Sequence, residues 1–590
     1  MINKSSLLAF TILFAIPATT PAQSGDSFLT WYETHGFNHT PRYEQTVQYA
    51  TRLAEASSLL TYTTIGTSAQ GRAIPLLILD RDGLHSPKEI RDKGRVIVLA
   101  QAAIHAGEPD GKDAGLMLLR DIVIRGQYRE LLDSVSLLFI PILNVDGHED
   151  FGTHYRINQN GPEEVGSRNT AQRLNLNRDF IKAETPEMRA WLRLYGYWMP
   201  ELLIDIHVTN GADFQYVATY GLDQCGYLES PLGDWSRQVY ETELNKAMQE
   251  VGYPLFPYFD FVDYTSPLSG VMPSNFTPQY SNGYAQANNR IGLLLENHIY
   301  KPYKERVTAA YHVLLSSMRI LSRHVATLKR LVAQTDLYVS GEAFRKDSFP
   351  LVITHDKKEN RLVDYLAWEE KTVVSDLSGA PWTYIDHTAP VTLQIPYYMS
   401  YKQERNVKLP RAYIIPQEQR QTLDLLDAHG IFYERCPAND TLLVETYRFI
   451  NPRWSPYPYE GRLTLSADYQ VQIESVPVRK GDIVVPTAQP KVKVVAHMLE
   501  PKSTTSLVYW GFYNAWARPE TEFWVRLNYM EIKGREMLTE NPALREAFEQ
   551  KKAMDPAFAS NPQAILQFFM NEVRQQVERA ANRYPVLRLM

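Results

Sequence analysis

The residue pair His-x-x-Glu occurs twice in the sequence, as His105 with Glu108 and as His497 with Glu500. Imidazole nitrogens and carboxylate oxygens are donor atoms of catalytic zinc sites, in which three protein ligands leave a fourth position for water. The spacing alone is a weak signal, because about one match is expected by chance in a chain with 14 histidines. The surroundings of each pair must therefore decide between a metal site and structural side chains.

The first pair has partners further along the chain that occupy equivalent positions. His105 and Glu108 come directly after an apolar run, and two later apolar runs end in His207 and Glu296. Ligands of open α/β sheets bind at the carboxyl ends of the strands, so we expect these four side chains to meet at one rim. His105, Glu108 and His207 then predict a catalytic zinc site; the alternative is a pair of hydrogen-bonded histidines without metal.

The second pair has a different setting in the sequence. His497 and Glu500 fall in a region that we expect to be β-rich, and no third ligand accompanies them. We therefore interpret them as structural residues near a strand.

Glu296 and Asp205 each allow a functional and a structural interpretation. Glu296 ends an apolar run, where a carboxylate is costly unless it is paired or functional. It is a candidate general base for a zinc-bound water, or a strand-end side chain that reaches solvent. Asp205 shares a strand face with His207 and either orients that ligand or is structural.

Strand and helix patterns alternate in the first half of the chain. Near-continuous apolar runs are typical of strands buried on both faces, and helical patterns between them indicate parallel crossovers. The sequence predicts an α/β fold with a mostly parallel or mixed sheet and helices on both faces. Strands are predicted over 95–104, 136–143, 202–206 and 291–295, and helices over 110–125, 186–197, 232–251 and 303–330.

A smaller accessory region, β-rich and helical, is predicted to follow the α/β part. We expect a strand–helix–strand unit over 412–431, an antiparallel β module over 442–510 and charged helices over 520–590. The predicted division is a leader over 1–22, a catalytic domain over 23–335, a small α/β region over 336–440, and a β-rich module with a helical tail over 441–590.

The N-terminus predicts export. Lys4, an apolar stretch over 7–16 and small residues before position 23 are typical of a signal peptide, the alternative being a buried N-terminal helix. The stretch is shorter than the roughly 20 residues that span a bilayer, and no other segment approaches that length. We predict a secreted or periplasmic protein without a membrane span.

Charge and cysteine content exclude other classes of protein. The net charge is −6 and there is no long basic run, which argues against a nucleic-acid partner. Cys225 and Cys436, the two cysteines, are too few for a disulfide scaffold, and we expect both to be free thiols. Any metal site must then be built from histidine and carboxylate side chains.

The order of these motifs resembles the zinc carboxypeptidases of the pancreatic carboxypeptidase A type over roughly residues 40–330. Two substitutions depart from the family pattern: Val145 replaces a proline and Asp179 replaces an asparagine. The matching segments are Gly-Thr-Ser-Ala-Gln-Gly-Arg at 66–72, His-Ala-Gly-Glu at 105–108, Asn-Val-Asp-Gly at 144–147, Leu-Asn-Arg-Asp-Phe at 176–180, His207 and Glu296.

The resemblance implies a role for each matched residue. His105, Glu108 and His207 would hold one zinc ion per chain, and Glu296 would be the catalytic base. Asn177 and Arg178 would hold the substrate's terminal carboxylate, for which a guanidinium is well suited.

Two further roles leave several candidates in the sequence. Among Arg156, Arg168 and Arg173 we favour Arg168 as the residue that stabilises the oxyanion. The alternative for each of the three is an ordinary surface arginine. For the tyrosine that caps the substrate we prefer Tyr280 to Tyr284. The alternative for each is a tyrosine that packs in the core.

These expectations together predict a zinc metallocarboxypeptidase that acts on peptides with a free C-terminal carboxylate. One alternative keeps the fold and the metal but makes the enzyme a deacylase or a cell-wall peptide amidase. A second alternative is a peptide-binding module without catalysis, against which the intact ligand set and Glu296 argue. The sequence leaves the oligomeric state open.

Overall fold

The computed structural model describes residues 28–209, 211–264, 266–518 and 525–590, so that the predicted leader over 1–22 lies outside the described residues. A central mixed sheet has eight strands within the described residues. In chain order, β1 to β8 are Leu60–Thr67, Ala73–Leu79, Val96–Ala102, Val135–Ile140, Leu202–Thr209, Ala218–Gly221, Leu255–Pro257 and Ile291–His298. Their order in the sheet is β1-β2-β4-β3-β5-β8-β6-β7. The neighbours β4, β3, β5 and β8 are parallel, which confirms the predicted α/β fold.

Strand β3 shows why the central strands are apolar throughout. Val96 and Val98 belong to a core cluster with the helices Asp110–Val123 and Tyr303–Ser340. Its alternate residues, such as Leu99, face a second cluster on the other side of the sheet. Since both faces are covered by helices, every position of such a strand is apolar.

The helices predicted over 110–125 and 186–197 are confirmed, and the last predicted helix continues to Ser340. The helix predicted over 232–251 is divided by a π-helical segment, Ser236–Glu241.

None of the helices in the described ranges is long and apolar enough to cross a membrane. The α-helices are Trp31–Thr34, Tyr43–Glu55, Pro87–Asp92, Asp110–Val123, Val145–Glu149, Pro186–Trp198, Leu232–Trp235, Thr242–Glu250, Ser281–Ala287, Tyr303–Ser340, Glu342–Lys346, Arg420–His429, Val492–Leu499, Asn514–Ala517, Met530–Glu540, Pro542–Met554, Pro556–Ala559 and Pro562–Ala581.

In the part of the chain that the structure describes, the remaining strands form four smaller sheets. Phe151–Gly152 pairs with Val165–Gly166, and Ser348–His355 pairs with Tyr401–Lys408. The four-stranded sheet contains Phe259–Phe261, Val271–Pro273, Asn360–Val374 and Pro381–Tyr398. The six-stranded sheet contains Ala412–Ile415, Glu434–Arg435, Asp440–Trp454, Leu465–Val478, Ile483–Pro486 and Leu587–Leu589.

The accessory region differs from the sequence prediction at one important place. The β module predicted over 442–510 is wrong in its last part, because Val492–Leu499 is a helix whose residues are all buried. His497 therefore lies on a buried helix, and its ring packs on Phe349 of the strand Ser348–His355 with centroids 5.5 Å apart. Val494 and Val495 of this helix extend the core cluster on the second face of the central sheet, so the accessory region packs on the α/β part. Both cysteines are free thiols, as expected.

Candidate active site

The three predicted zinc ligands meet at the carboxyl ends of β3 and β5. His105 and Glu108 lie in the turn after β3, and His207 is within β5. One donor atom of each residue lies within 4.8 Å of the donor atoms of the other two, and all three side chains are buried. His105 Nδ1 is 3.1 Å from Glu108 Oε1, and His207 Nδ1 is 2.9 Å from Glu108 Oε2. No other group of His, Cys, Asp and Glu within the described ranges is as compact.

Each histidine is oriented through its second ring nitrogen. His105 Nε2 donates to Asn175 Oδ1 at 3.1 Å, and His207 Nε2 donates to Asp205 Oδ2 at 3.0 Å. Both acceptors place a ring proton on Nε2, so that Nδ1 of each ring is the atom that faces Glu108. Such partners fix the tautomer of metal-binding histidines, and Asp205 thus occupies the orienting position considered from the sequence.

The charge states of His105 and Glu108 suit a metal, whereas Asp205 and Glu108 raise the pKa of His207 well above its usual range despite its burial, so His207 would have to lose a proton to bind one. Burial lowers the pKa of His105 to about 4, so its ring is neutral at neutral pH. Burial alone would raise the pKa of Glu108, but His105 and Arg156 hold it well below its usual range. Two imidazoles and one ionised carboxylate are the donor set of catalytic zinc sites, so the residues fit that ion.

Glu296 borders the ligand cluster. It lies in β8 directly opposite His207 of β5, and its Oε2 atom is buried with no hydrogen-bond partner among the described residues. Burial, reinforced by the charge of Glu108, raises the pKa of Glu296 to about 7. A carboxyl group with a pKa near neutrality can both accept and return a proton.

The three candidate arginines have three different positions. Arg168 lines the cleft, with Nη1 3.2 Å from His105 Nδ1. Arg156 instead donates from Nη1 to Glu108 Oε1 at 2.8 Å, which braces that ligand. Arg173 is an exposed residue that pairs with Asp150. The structure therefore brings Arg168 and Arg156 to the site and leaves Arg173 outside it.

The remaining predicted residues border the same cleft, with one exception. Asn177, Arg178 and Tyr280 line it, and the guanidinium of Arg178 lies over the Tyr280 ring at 4.6 Å. Tyr284 is 1% exposed and its hydroxyl contacts His429 Nδ1 at 2.8 Å. Of the two tyrosines, Tyr280 alone faces the cleft.

Sequence reasoning missed several residues of the cleft, which has a volume of about 270 Å³. Tyr258 and Asp260 line it, and the charge of Glu296 raises the pKa of Tyr258. Asn282 also lines the cleft, 1% exposed, with neither end of its side-chain amide hydrogen-bonded. Tyr258 and Asp260 lie at the strand Phe259–Phe261, and Asn282 lies in the helix Ser281–Ala287. Both elements are too short for a periodic pattern to mark these residues.

Two of the segments that carry the family resemblance, 66–72 and 144–147, are tied to each other outside the cleft. Asp146 accepts from Ser68 Oγ at 2.7 Å, from Arg72 Nη1 at 2.7 Å and from the Gln70 backbone N–H at 2.9 Å. The segments 66–72 and 144–147 are thus joined through one buried carboxylate. They hold the loops after β1 and β4 in place.

Comparison with known proteins gives one family. The family model of zinc carboxypeptidases matches residues 46–192, a range that contains His105, Glu108, Asn177 and Arg178. No curated protein matches the chain.

Several solved structures are similar to the chain at low identity. A metallo-carboxypeptidase from Burkholderia cenocepacia is 15% identical, with 48% of this chain and 69% of that chain covered and a TM-score of 0.36. A Pseudomonas aeruginosa metallo-carboxypeptidase in complex with (2-guanidinoethylmercapto)succinic acid is 17% identical, with 48% and 69% covered and a TM-score of 0.36. Carboxypeptidase A from Helicoverpa armigera is 17% identical, with 48% and 74% covered and a TM-score of 0.36. Residues 46–192 thus match the zinc carboxypeptidase family, which confirms the resemblance predicted from the sequence.

Proposed function

We propose that the chain is an exported zinc metallocarboxypeptidase, a hydrolase that cleaves the C-terminal peptide bond of peptides with a free terminal carboxylate. The observation that carries the proposal is the convergence of His105, Glu108 and His207 with the unpartnered carboxyl of Glu296. The family match over residues 46–192 supports the same activity. Export rests on the leader predicted over 1–22, outside the described residues, so a secreted or periplasmic location stays a prediction.

One zinc ion per chain would be held by His105, Glu108 and His207. Zinc in such a site polarises a carbonyl group and lowers the pKa of water. Asn175 and Asp205 keep the two imidazole rings oriented, and Arg156 keeps the Glu108 carboxylate ionised and in place.

The protein's own groups then supply the proton transfers. Glu296 accepts a proton from the attacking water as the water oxygen bonds to the scissile carbonyl carbon, and it returns that proton to the amine when the C–N bond breaks. A pKa of about 7 allows both steps. Arg168, at the rim of the cleft, donates to the oxygen on which negative charge develops.

The substrate's terminal carboxylate binds in the same cleft, at Asn177 and Arg178. Arg178 offers a guanidinium with the bidentate geometry that carboxylates require, and Asn177 lies beside it. Tyr280 covers the bound residue from the N-terminus of the helix Ser281–Ala287. This arrangement favours cleavage of the last residue over cleavage inside a chain.

The test uses one peptide series with free and amidated C-termini, assayed with and without a metal chelator. We expect hydrolysis of the free forms, little hydrolysis of the amidated forms, and loss of both activity and stoichiometric zinc on chelation. Hydrolysis that chelation leaves unchanged contradicts the zinc site.

The same series includes N-acyl amino acids and cell-wall peptides. Preferential release of the acyl group, or cleavage of cell-wall peptides alone, would make the enzyme a deacylase or amidase. Peptide binding without hydrolysis by zinc-loaded protein would make it a binding module.

A further inference from the structure

A tight turn of the accessory region reaches the candidate active site. Tyr459 and Arg462 exchange two backbone hydrogen bonds, of 2.9 and 3.0 Å, which encloses the two-residue loop Glu460-Gly461. Both loop residues have positive φ, +50° and +74°, as a type I′ turn requires. Asparagine, aspartate or glycine is favoured at the first of these positions, and glutamate is a strained choice there. A strained residue such as Glu460 beside the active-site cleft suggests that its side chain has a function there.

The side chain of Glu460 holds the segment that orients His105. Glu460 Oε2 accepts the backbone N–H of Asn175 at 2.8 Å. The side chain of Asn175 in turn accepts from His105 Nε2 at 3.1 Å and from the Asn177 N–H at 2.9 Å. The carboxylate of Glu460 is therefore linked to the predicted zinc ligand His105 through one residue, Asn175.

The neighbouring Tyr459 holds the predicted carboxylate-binding arginine. Arg178 Nε donates to the Tyr459 hydroxyl at 3.0 Å, and Arg178 Nη1 donates to the Asn177 carbonyl at 2.7 Å. The Tyr459 ring is stacked on Trp510 with centroids 5.8 Å apart. These contacts fix the direction in which the guanidinium faces the cleft.

The turn is itself anchored to the α/β part beside the site. Arg462 pairs with Glu184 at 2.6 Å, and Gly461 approaches Leu174. The turn is therefore held at two places of the α/β part: at Leu174, before Asn177 in the chain, and at Glu184, after it.

We propose that Tyr459 and Glu460 are positioning residues, so that the accessory region completes the active site. Glu460 acts through Asn175 on His105, and Tyr459 acts on Arg178. The inference rests on the proposed function and adds to it that the accessory region sets zinc affinity and the binding of the terminal carboxylate.

The decisive variant is Glu460→Asn in the full chain. Asn-Gly is the favoured pair for this turn, so the variant should fold with an unchanged or higher Tm. Its side chain is shorter by about one C–C bond (~1.5 Å) and no longer reaches the Asn175 N–H. We expect zinc affinity, measured by equilibrium competition with a chelator, to fall about 10- to 100-fold. Glu460→Gln keeps an acceptor oxygen of the same length and should restore near wild-type affinity.

Tyr459→Phe tests the second contact. We expect KM for a free C-terminal peptide to rise about tenfold, since a hydrogen bond to a charged group is lost, while kcat stays within about twofold. Tyr457→Phe, two residues before Tyr459 and 79% exposed, is the matched control and should leave both constants unchanged.

The outcomes separate this inference from the proposed function. Wild-type affinity in Glu460→Asn, or an equal loss in Glu460→Gln, overturns the role of Glu460, and an unchanged KM in Tyr459→Phe overturns that of Tyr459. Wild-type protein that binds zinc but cleaves no peptide contradicts the proposed function, while the zinc affinities still decide the inference.

Discussion

His105 and His497 are each followed three residues later by a glutamate, yet the side chains of the two pairs have different partners. His105 and Glu108 stand in a turn, and their facing atoms are 3.1 Å apart. His497 Nδ1 instead lies 3.2 Å from Ser503 Oγ. Glu500 accepts from the Tyr413 and Tyr447 hydroxyls at 2.6 and 3.1 Å.

Backbone conformation explains the difference. Residues three apart on a helix face the same side, but Glu500 is the C-terminal cap of the helix Val492–Leu499 and has extended backbone angles. Its carboxylate turns toward Tyr413, Tyr447 and Arg588, whose Nε is 3.0 Å away. Glu108, by contrast, directs both oxygens at imidazole nitrogens. The spacing of a motif therefore has chemical meaning only together with the turn that aims its side chains.

The largest expected effect is on the catalytic rate, and it comes from Glu296, which lies beside the first pair. Glu296→Gln should lower kcat by about 1000-fold, because an amide cannot accept the proton of the attacking water. The measurement is steady-state hydrolysis of a free C-terminal peptide by zinc-loaded protein.

Glu241→Gln is the matched control for that substitution. Glu241 is half-buried and also has a raised pKa, but it contacts Tyr220 and Gln224 away from the cleft. We expect it to retain activity. A wild-type kcat in Glu296→Gln would refute the base assignment.

The next effect concerns the stability that the second pair provides. Glu500→Ala leaves two tyrosine hydroxyls without their acceptor in the core and removes one ion pair of Arg588. It should lower the free energy of unfolding by about 3 kcal/mol. Urea unfolding measures the change, with the exposed Glu434→Ala as control. Zinc content of the folded protein should be unchanged; its loss would show that the second pair affects the metal site.

Much of the site could be predicted because it depends on local pattern. Strands β3, β5 and β8 are apolar on both faces, and their carboxyl ends carry His105, His207 and Glu296. Once the strands are recognised, the convergence of these residues follows from sheet geometry.

Other parts had no local signal. The short segment Val492–Leu499, apolar except for Lys493 and His497, fits a buried strand or a buried helix equally well. The hairpin strands Asn360–Val374 and Pro381–Tyr398 expose many residues on both faces, so no alternation marks them. The contact between Glu460 and Asn175 joins residues 285 positions apart, and only the tertiary structure brings them together.

Zinc affinity provides a direct contrast between the two histidines. His105→Gln should lower it by at least about 100-fold, since the loss of a ligand exceeds the 10- to 100-fold cost of losing an orienting partner. His497→Gln should leave it unchanged. Chelator competition on both variants measures the effect, and equal affinities would remove the distinction between the pairs.

The smallest effect is the pH dependence of stability that His497 contributes. Burial lowers its pKa to about 3, and Lys493 adds to the shift, whereas an unfolded histidine titrates near 6.5. The unfolded state thus binds a proton below pH 6.5 that the folded state does not, so stability is present above that pH and is lost as the pH falls. Between pH 7 and pH 5 this one residue should cost about 2 kcal/mol. His497→Gln should show a correspondingly smaller loss in urea unfolding at the two pH values; an identical loss in both proteins would mean that His497 is already protonated in the folded state.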